Sequence, residues 1–205
     1  MITLSGTLET VIPYLASTTG IQLPDTLYRQ VDGFISRRCA ELGVNVQEYI
    51  NRLDRDGEEY GRFINSVTVN ETYFFREEAQ FRALERDILP ALNRTGKTIK
   101  IWSSSCSTGE EAISLYCLAG NIIGRDRVRM YASDINDTVM SKFENGVYGK
   151  NSFRQDGSDF HRLVKNRGAM NAEELCVDRE TMNGIKRRVI NLNTLPDDSL
   201  PRDFN

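Results

Sequence analysis

The chain has little of what builds metal centres and disulfide frameworks. It contains one histidine, and its four cysteines form no CxxC pair. Structural zinc sites are built from clustered cysteine and histidine ligands, so this class of site is not indicated and no metal is expected. Scattered cysteines also argue against a disulfide-stabilised secreted domain. A cytoplasmic location, where thiols stay reduced, is the simplest interpretation.

The sequence also lacks long apolar runs and an excess of positive charge. Its longest hydrophobic stretches are far too short to span a bilayer. The N-terminal residues, MITLSGTLETVIPY, have no basic region and include Glu9, so neither a signal peptide nor membrane insertion is predicted. The formal net charge of −3 argues against a broad nucleic-acid surface.

The first third of the chain is predicted to be helical. Ser5 can cap a first helix, and a second helix over Asp25–Leu42 can end at Gly43. The run Asn45-Val46-Gln47-Glu48 resembles a capping box that opens a third helix. A small helical domain is therefore expected before Val69.

The pattern changes after Val69 to an alternation of helices and strands. A helix is predicted over Glu77–Asn93, and strands are predicted at Thr98–Ser103 and Val128–Ser133. Helices over Thr108–Ile123 and Asp137–Glu144 follow the two strands. Such an order indicates parallel strand pairing with right-handed crossovers. In the last third, Ser158 can cap a short helix, and two strand-like segments meet at Asn183-Gly184, a hairpin signal.

The turn after the first predicted strand, SSSCSTGEEA, is not a GxGxxG dinucleotide motif. Its small residues let a ligand approach the backbone, and the free N–H groups of a helix N-terminus favour a negative group. Glu110 and Glu111 add negative charge, which suits a ligand with both a carboxylate and an ammonium, such as an amino acid. The alternative is that Ser107 or Thr108 only caps the helix while the glutamates complement its dipole.

Asp134 ends the second predicted strand, where an acid commonly accepts hydrogen bonds from ribose hydroxyls. It could instead cap the next helix, although Asn136 and Asp137 are better placed to do so. A nucleoside together with an amino acid is what S-adenosylmethionine presents.

Several segments resemble one known family, the chemotaxis-receptor methyltransferases of the CheR type. They are NETYFFRE, IWSSSCSTGEEAISL and YASDIN followed by NGVYG, with TTGIQLP and VQEYINRL before them. The resemblance implies an α + α/β fold: a helical domain at 1–67, a linker at 68–76, and a Rossmann-like S-adenosylmethionine-binding α/β domain at 77–205. It also implies a small β-hairpin subdomain at about 170–190, which some members use to hold a pentapeptide at the receptor C-terminus.

The resemblance also assigns roles to individual residues. Arg76 matches the arginine proposed to hold a carboxylate at the reaction centre and is the predicted catalytic residue. Glu111 and Asp134 match acids that contact the methionine end and the ribose of S-adenosylmethionine, whose product is S-adenosylhomocysteine. The other cofactor contacts that it implies are Asn70, Thr72, Arg76 itself, Asn191 and Leu192. Phe74 and Phe75 are expected to anchor the linker by packing in the core.

Transfer of a methyl group to a glutamate carboxylate requires little acid–base chemistry from the protein. That carboxylate has a reference pKa near ~4.3 and is already ionised at neutral pH. No general base is needed, and alignment of the reactants, worth up to roughly 7–11 kcal/mol, is the main task. The lone His161 is therefore predicted to be a surface helix residue rather than a base.

The implied partner is the cytoplasmic domain of methyl-accepting chemotaxis receptors. The family uses basic residues of the helix after Pro24 to meet receptor helices, which here points to Arg29, Arg37 and Arg38. A solvated charged face is the alternative. Lys186-Arg187-Arg188 is expected to protect an exposed strand edge.

The resemblance further implies a core strand, an Asn-Arg pair and a tyrosine beyond the final residues, SLPRDFN. The sequence is therefore expected to be either part of a longer chain or a truncated protein, and its incomplete sheet allows self-association. The leading function is S-adenosylmethionine-dependent esterification of receptor glutamates. The alternative is a truncated, non-catalytic chemotaxis module that binds receptor or cofactor. A nicotinamide-dependent dehydrogenase is disfavoured by the missing GxGxxG.

Overall fold

The structure, a computed structural model, describes residues 5–154, 158–171 and 173–195. The chain separates into two compact units. The first contains the described residues up to Val69 together with residues 190–195, and the second lies within Asn70–Val189. The sequence suggested a boundary at residue 67 with a linker over 68–76. In the structure, residues 70–76 belong to the second unit, and 190–195 return to the first.

The first unit is helical. Its helices are α1 (Gly6–Thr19), α2 (Tyr28–Leu42), α3 (Val46–Leu53) and α4 (Gly57–Val67), with short 3₁₀ turns at Asp25–Leu27 and Leu192–Thr194. Its fully buried core side chains include Val11, Leu15, Val31, Ile35, Tyr49 and Phe63. They recur at helical spacing, so each helix presents one apolar face to the others.

Local signals set the ends of these helices as predicted. The Ser5 side chain accepts a hydrogen bond from Leu8 N, 3.3 Å away. Asn45 and Glu48 form the predicted capping box, with both reciprocal hydrogen bonds at 2.9 Å. Gly43 ends α2 in the left-handed conformation.

The second unit alternates helices and strands. The helices are α5 (Glu78–Ala83), which continues through a π-helical turn at Leu84–Ile88 into α6 (Leu89–Asn93), then α7 (Glu110–Ile123), α8 (Asp137–Asn145), α9 (His161–Lys165) and α10 (Arg179–Asn183). The strands are β1 (Ile99–Ser103), β2 (Val128–Asp134), β3 (Val147–Gly149), β4 (Gly168–Met170), β5 (Glu174–Val177) and β6 (Ile185–Val189).

The main sheet has the order β1-β2-β6, and both strand pairs are parallel. Ile101 pairs with Met130 in the first pair, and Asp134 pairs with Val189 in the second. The carboxyl ends of all three strands therefore lie at one edge, where ligands of open α/β sheets bind. The predicted fold class, a helical domain followed by a Rossmann-like α/β domain with a small β-subdomain, is confirmed, although that subdomain is a three-stranded antiparallel sheet and not the predicted hairpin.

The hairpin predicted at Asn183-Gly184 is wrong. Asp178 caps α10 through a 2.6 Å hydrogen bond from Thr181 N, so a helix occupies the expected turn. Ile185, buried at the start of β6, then joins the main core. The small antiparallel sheet has the order β3-β5-β4 and therefore draws on residues 147–177, not on a hairpin at about 170–190.

The two linker phenylalanines are fully buried, as predicted. Phe74 lies 5.0 Å from Tyr148 between ring centroids, and Phe75 stacks on Phe160 at 5.2 Å. His161 is also buried, contrary to the predicted surface position, and meets the ring of Phe153 edge-on at 5.3 Å. Ser158 does not cap α9, whose first residues instead enter this aromatic cluster.

Candidate functional site

Asp134 lies at the carboxyl end of β2 and is 7 % exposed. One carboxylate oxygen accepts a hydrogen bond from Ser107 N at 2.8 Å, and the other accepts one from Asn136 N at 3.0 Å. Asn136, not Asp134, caps α8 by accepting from the backbone N–H of residues 138 and 139. A carboxylate offers about four acceptor positions, so Asp134 retains capacity for ligand hydroxyls.

The turn after β1 brings the backbone close to this carboxylate. Ser107 and Gly109 both have positive φ angles, 49° and 92°. A Cβ on Gly109 would lie 2.4 Å from the ring of Phe143, so glycine is required there. Burial raises the pKa of the neighbouring Cys106 thiol to about 12, which keeps it protonated and excludes it as a nucleophile.

No side chain caps α7, whose N-cap residue is Gly109. The hydroxyl of Thr108 donates to Glu110 at 2.6 Å, and that of Ser107 donates to the carbonyl oxygen of Asn70 at 3.3 Å. The interpretation of Ser107 or Thr108 as a simple cap is therefore wrong. Glu110 and Glu111 do lie in the first turn of α7, where their charge complements the helix dipole, and ligand binding at this turn stays a prediction.

Arg76 and Glu111 face the same cavity, which has a volume of about 460 Å³. Glu111 accepts a 2.6 Å hydrogen bond from the hydroxyl of Ser103 at the end of β1. Arg76 Nη1 donates to the carbonyl oxygen of Glu71 at 2.8 Å, and the guanidinium is exposed. The full lining of the cavity is Arg76, Glu77, Gln80, Phe81, Leu84, Glu111 and Leu115. The structure thus brings together a predicted cofactor contact and the predicted catalytic residue.

The segment that bears Arg76 is bent sharply. Phe75 and Glu77, on either side of it, have φ angles of 56° and 59°. Phe74 N donates to the carbonyl oxygen of Ser152 at 2.8 Å. Phe75 N donates to the hydroxyl of Ser114 at 3.1 Å. Sequence reasoning missed both serines, although a serine in the middle of the mostly apolar α7 was a usable signal.

The other predicted cofactor contacts divide between the two units. Asn70 and Thr72 are half-buried in the second unit, and Asn70 meets the turn after β1 through Ser107. Asn191 and Leu192 belong to the first unit. There, Asn191 Nδ2 donates to the carbonyl oxygen of Thr18 at 2.8 Å, and Leu192 is largely exposed.

The three arginines of α2 differ in their surroundings. Arg29 and Arg37 are exposed. Arg38 instead forms a two-point ion pair with the buried Glu59, with distances of 2.8 Å and 2.6 Å, and Tyr49 donates to the same carboxylate at 2.9 Å. The Arg38 guanidinium holds the pKa of Glu59 below its ordinary value. Arg38 therefore has a structural role in the first unit, which leaves Arg29 and Arg37 as the cations available to a partner.

Two features are absent from residues 5–154, 158–171 and 173–195. No helix in these ranges has the length and apolar character needed to cross a membrane. Within the same ranges, no group of three or more histidine, cysteine, aspartate or glutamate side chains could hold a metal ion.

The fold and the site define a class of protein. A parallel sheet carries a close-approach turn after β1, an acid at the end of β2 and a cavity between Arg76 and Glu111. This is the arrangement of a Rossmann-like methyltransferase domain. Residues 70–204 match the family model described as "CheR methyltransferase, SAM binding domain". The chain belongs to this family.

The chain is also similar in sequence to individual curated proteins. A chemotaxis protein methyltransferase 2 of Pseudomonas aeruginosa is 32 % identical over 178 residues, which cover 85 % of this chain and 63 % of the relative. The chemotaxis protein methyltransferase of Escherichia coli is 35 % identical over 134 residues, 63 % of this chain and 46 % of the relative. That of Borreliella burgdorferi is 29 % identical over 153 residues, with shares of 69 % and 54 %. The chain thus spans about half the length of the curated relatives it matches.

Proposed function

We propose that this chain forms the cofactor-binding and reaction part of an S-adenosylmethionine-dependent methyltransferase that esterifies glutamate side chains of chemotaxis receptors. The observation that supports this most directly is that Arg76, an exposed residue, and Glu111 line the same cavity. Membership in the CheR family supports the cofactor, and the names of the relatives support the role in chemotaxis.

The residues present fit S-adenosylmethionine. Asp134 would accept hydrogen bonds from the ribose hydroxyls, because its two engaged acceptor positions leave others available. Glu111 would pair with the ammonium of the methionine end, and the turn at Gly109 allows a close backbone approach. The further proposed contacts are Asn70, Thr72, Asn191 and Leu192.

When bound, S-adenosylmethionine supplies a methyl group already activated by its sulfonium. The chain has to position the accepting glutamate against that methyl group, since the glutamate is already ionised at neutral pH. The planar guanidinium of Arg76 can hold that carboxylate by two parallel hydrogen bonds. No side chain has to remove a proton, which agrees with the burial of His161 among aromatic rings. The product is S-adenosylhomocysteine.

The proposed substrate is the cytoplasmic domain of methyl-accepting chemotaxis receptors. The protein itself is therefore proposed to act in the cytoplasm. The exposed Arg29 and Arg37 of α2 are the proposed contacts with its acidic helices. Arg38 supports them by fixing α2 to α4 through Glu59. Electrostatic contacts of this kind mainly raise the association rate and weaken with added salt.

The test is transfer of labelled methyl groups from S-adenosylmethionine to receptor-containing membranes. The proposal expects label that mild base releases, because a glutamyl methyl ester hydrolyses in base. Base-stable label would point to another acceptor and overturn the glutamate assignment. Membranes with glutamine at the receptor methylation positions are the matched control and should take up none.

A non-catalytic chemotaxis module is the second candidate. This candidate predicts cofactor or receptor binding in a titration with no label transferred. Binding together with base-labile transfer would exclude it.

A further inference from the structure

Glu110 is a buried acid that the proposed reaction does not use. It is 4 % exposed, at the first position of α7. Its two carboxylate oxygens accept hydrogen bonds from the hydroxyls of Thr108, at 2.6 Å, and Ser152, at 2.8 Å. Both of these partners are neutral. A carboxylate is expensive to bury, so its place here calls for a physical reason.

Glu110 reaches the arginine-bearing segment by two routes. Through its side chain it holds Ser152, whose carbonyl oxygen accepts from Phe74 N at 2.8 Å. Through its own carbonyl oxygen it accepts from the hydroxyl of Ser114 at 2.7 Å, and that hydroxyl accepts from Phe75 N at 3.1 Å. One residue thus fixes the amides of two consecutive linker residues.

The segment needs such support because of its backbone. Phe75 and Glu77 both adopt left-handed conformations that non-glycine residues rarely take. Strained conformations of this kind persist only where the surrounding structure holds them. Arg76 lies between the two strained residues, so the direction of its guanidinium depends on the same turn.

We propose that Glu110 is a positioning residue, which holds the turn at Phe74–Glu77 and thereby sets the direction of Arg76. Its significance for catalysis rests on the proposed function, in which Arg76 orients the accepting carboxylate. Glu110 has this effect through hydrogen bonds to hydroxyl groups. Its negative charge is not the property that matters.

This distinction gives two matched variants. Hydroxyls both donate and accept, so in Glu110→Gln the amide can keep its bonds to Thr108 and Ser152 after the hydroxyls rotate. Glu110→Ala removes both bonds and leaves the two hydroxyls without their partner. Glutamine should therefore preserve the turn, and alanine should release it.

Amide hydrogen exchange on the 205-residue chain tests the structural step without any need for activity. In Glu110→Ala, the amide of Phe74 should exchange about tenfold faster or more, while that of Met130 in β2 stays within about twofold. The amide of Phe75 should change less, because its route through Ser114 ends on the backbone carbonyl oxygen of residue 110, which alanine keeps. Glu110→Gln should leave all three within about threefold of the wild type. Ser152→Ala removes the same side-chain bond from its other end, should also accelerate Phe74 more than Phe75, and serves if the alanine variant at position 110 does not fold.

Three results of that experiment would overturn the proposal. They are unchanged exchange at Phe74 in Glu110→Ala, an equal loss of protection at Met130, and a glutamine variant that behaves like the alanine one. The first would show that Glu110 does not hold the turn. The second would show that Glu110 stabilises the whole second unit, and the third would show that its charge causes the effect.

Kinetics test the link to Arg76. In receptor methylation, Glu110→Ala should lower kcat by about tenfold and leave KM for S-adenosylmethionine within about twofold of the wild type. In a chain that already carries Arg76→Lys, the same substitution should lower kcat little further. Additive losses would overturn the positioning role. Absence of transfer by the wild-type chain would count against the proposed function alone, because the exchange experiment would still decide whether Glu110 holds the turn.

Discussion

Asp134 and Ser107 are joined by a 2.8 Å hydrogen bond from the backbone N–H of Ser107 to the carboxylate. The bond connects the end of β2 to the turn after β1. The acid therefore fixes the shape of the site and still presents acceptor positions to a ligand. Its removal should affect both.

Asp134→Ala should weaken binding of S-adenosylmethionine by roughly 1–3 kcal/mol, the scale for leaving buried partner groups unpaired. Isothermal titration calorimetry measures the effect. Glu144→Ala, which removes an exposed acid from α8, is the matched control and should leave the affinity unchanged. An affinity equal to that of the wild type in Asp134→Ala would remove this residue from the site.

Arg76→Lys should keep the fold and slow methyl transfer by about tenfold or more, since an ammonium cannot reproduce the planar two-point contact of a guanidinium. Far-ultraviolet circular dichroism checks the fold, and label transfer to receptor membranes gives the rate. Arg86→Lys is the control, because that side chain is 81 % exposed. Wild-type turnover in Arg76→Lys would contradict the carboxylate-positioning role.

Gly109→Ala should destabilise the chain by more than about 2 kcal/mol, from left-handed strain and a clash with Phe143. Gly33→Ala in α2 is the contrasting variant, because its new Cβ meets nothing within 4 Å. It should be neutral or stabilising by up to about 1 kcal/mol. Urea unfolding of both variants provides the comparison, and equal stabilities would show that the turn tolerates a side chain.

The ion pair between Arg38 and Glu59 should make the first unit sensitive to acid. Arg38 lowers the pKa of Glu59 in the folded chain, so the stabilisation is fully present above the ordinary value of 4.5. This stabilisation is lost as the pH falls through the lower pKa that Glu59 has in the folded chain. The reason is that Glu59 of the unfolded chain binds a proton at a higher pH than Glu59 of the folded chain. Unfolding free energies measured between pH 7 and pH 3 should fall over this range.

Glu59→Gln should remove that part of the acid dependence and lower stability at pH 7 by about 1.5–3 kcal/mol, the range for hydrogen bonds to charged groups. Glu58→Gln provides the control, since Glu58 also pairs with an arginine but its side chain is 78 % exposed. A surface pair contributes about 0–1 kcal/mol. Identical acid dependence in wild type and Glu59→Gln would show that another group sets it.

Features that depend on neighbours in sequence could be predicted from sequence. The capping box at Asn45, the cap at Asn136 and the helix end at Gly43 all use partners within five residues. The parallel pairing of β1 and β2 also followed, because a single helix connects them. Short-range chemistry determines these features, and the structure agrees with it.

Features that depend on distant partners could not be predicted in this way. The strand after Asn183-Gly184 pairs with β2, more than fifty residues earlier, and the local turn signal gave no sign of this. The hydrogen bonds from Phe75 N to Ser114 and from Ser152 to Glu110 span 39 and 42 residues. His161 is buried by aromatic rings from other segments. Only the assembled fold brings these groups together.

The two left-handed residues beside Arg76 have a consequence for the order of folding. A chain in which α7 has not yet reached its place gains nothing by bending at Phe75 and Glu77, since the partner hydroxyl of Ser114 is absent. We therefore expect the strands and α7 to form first and the turn to form last. A partly folded chain would then have the acid of β2 in position before its arginine, and the reaction centre would be the last part of the second unit to assemble.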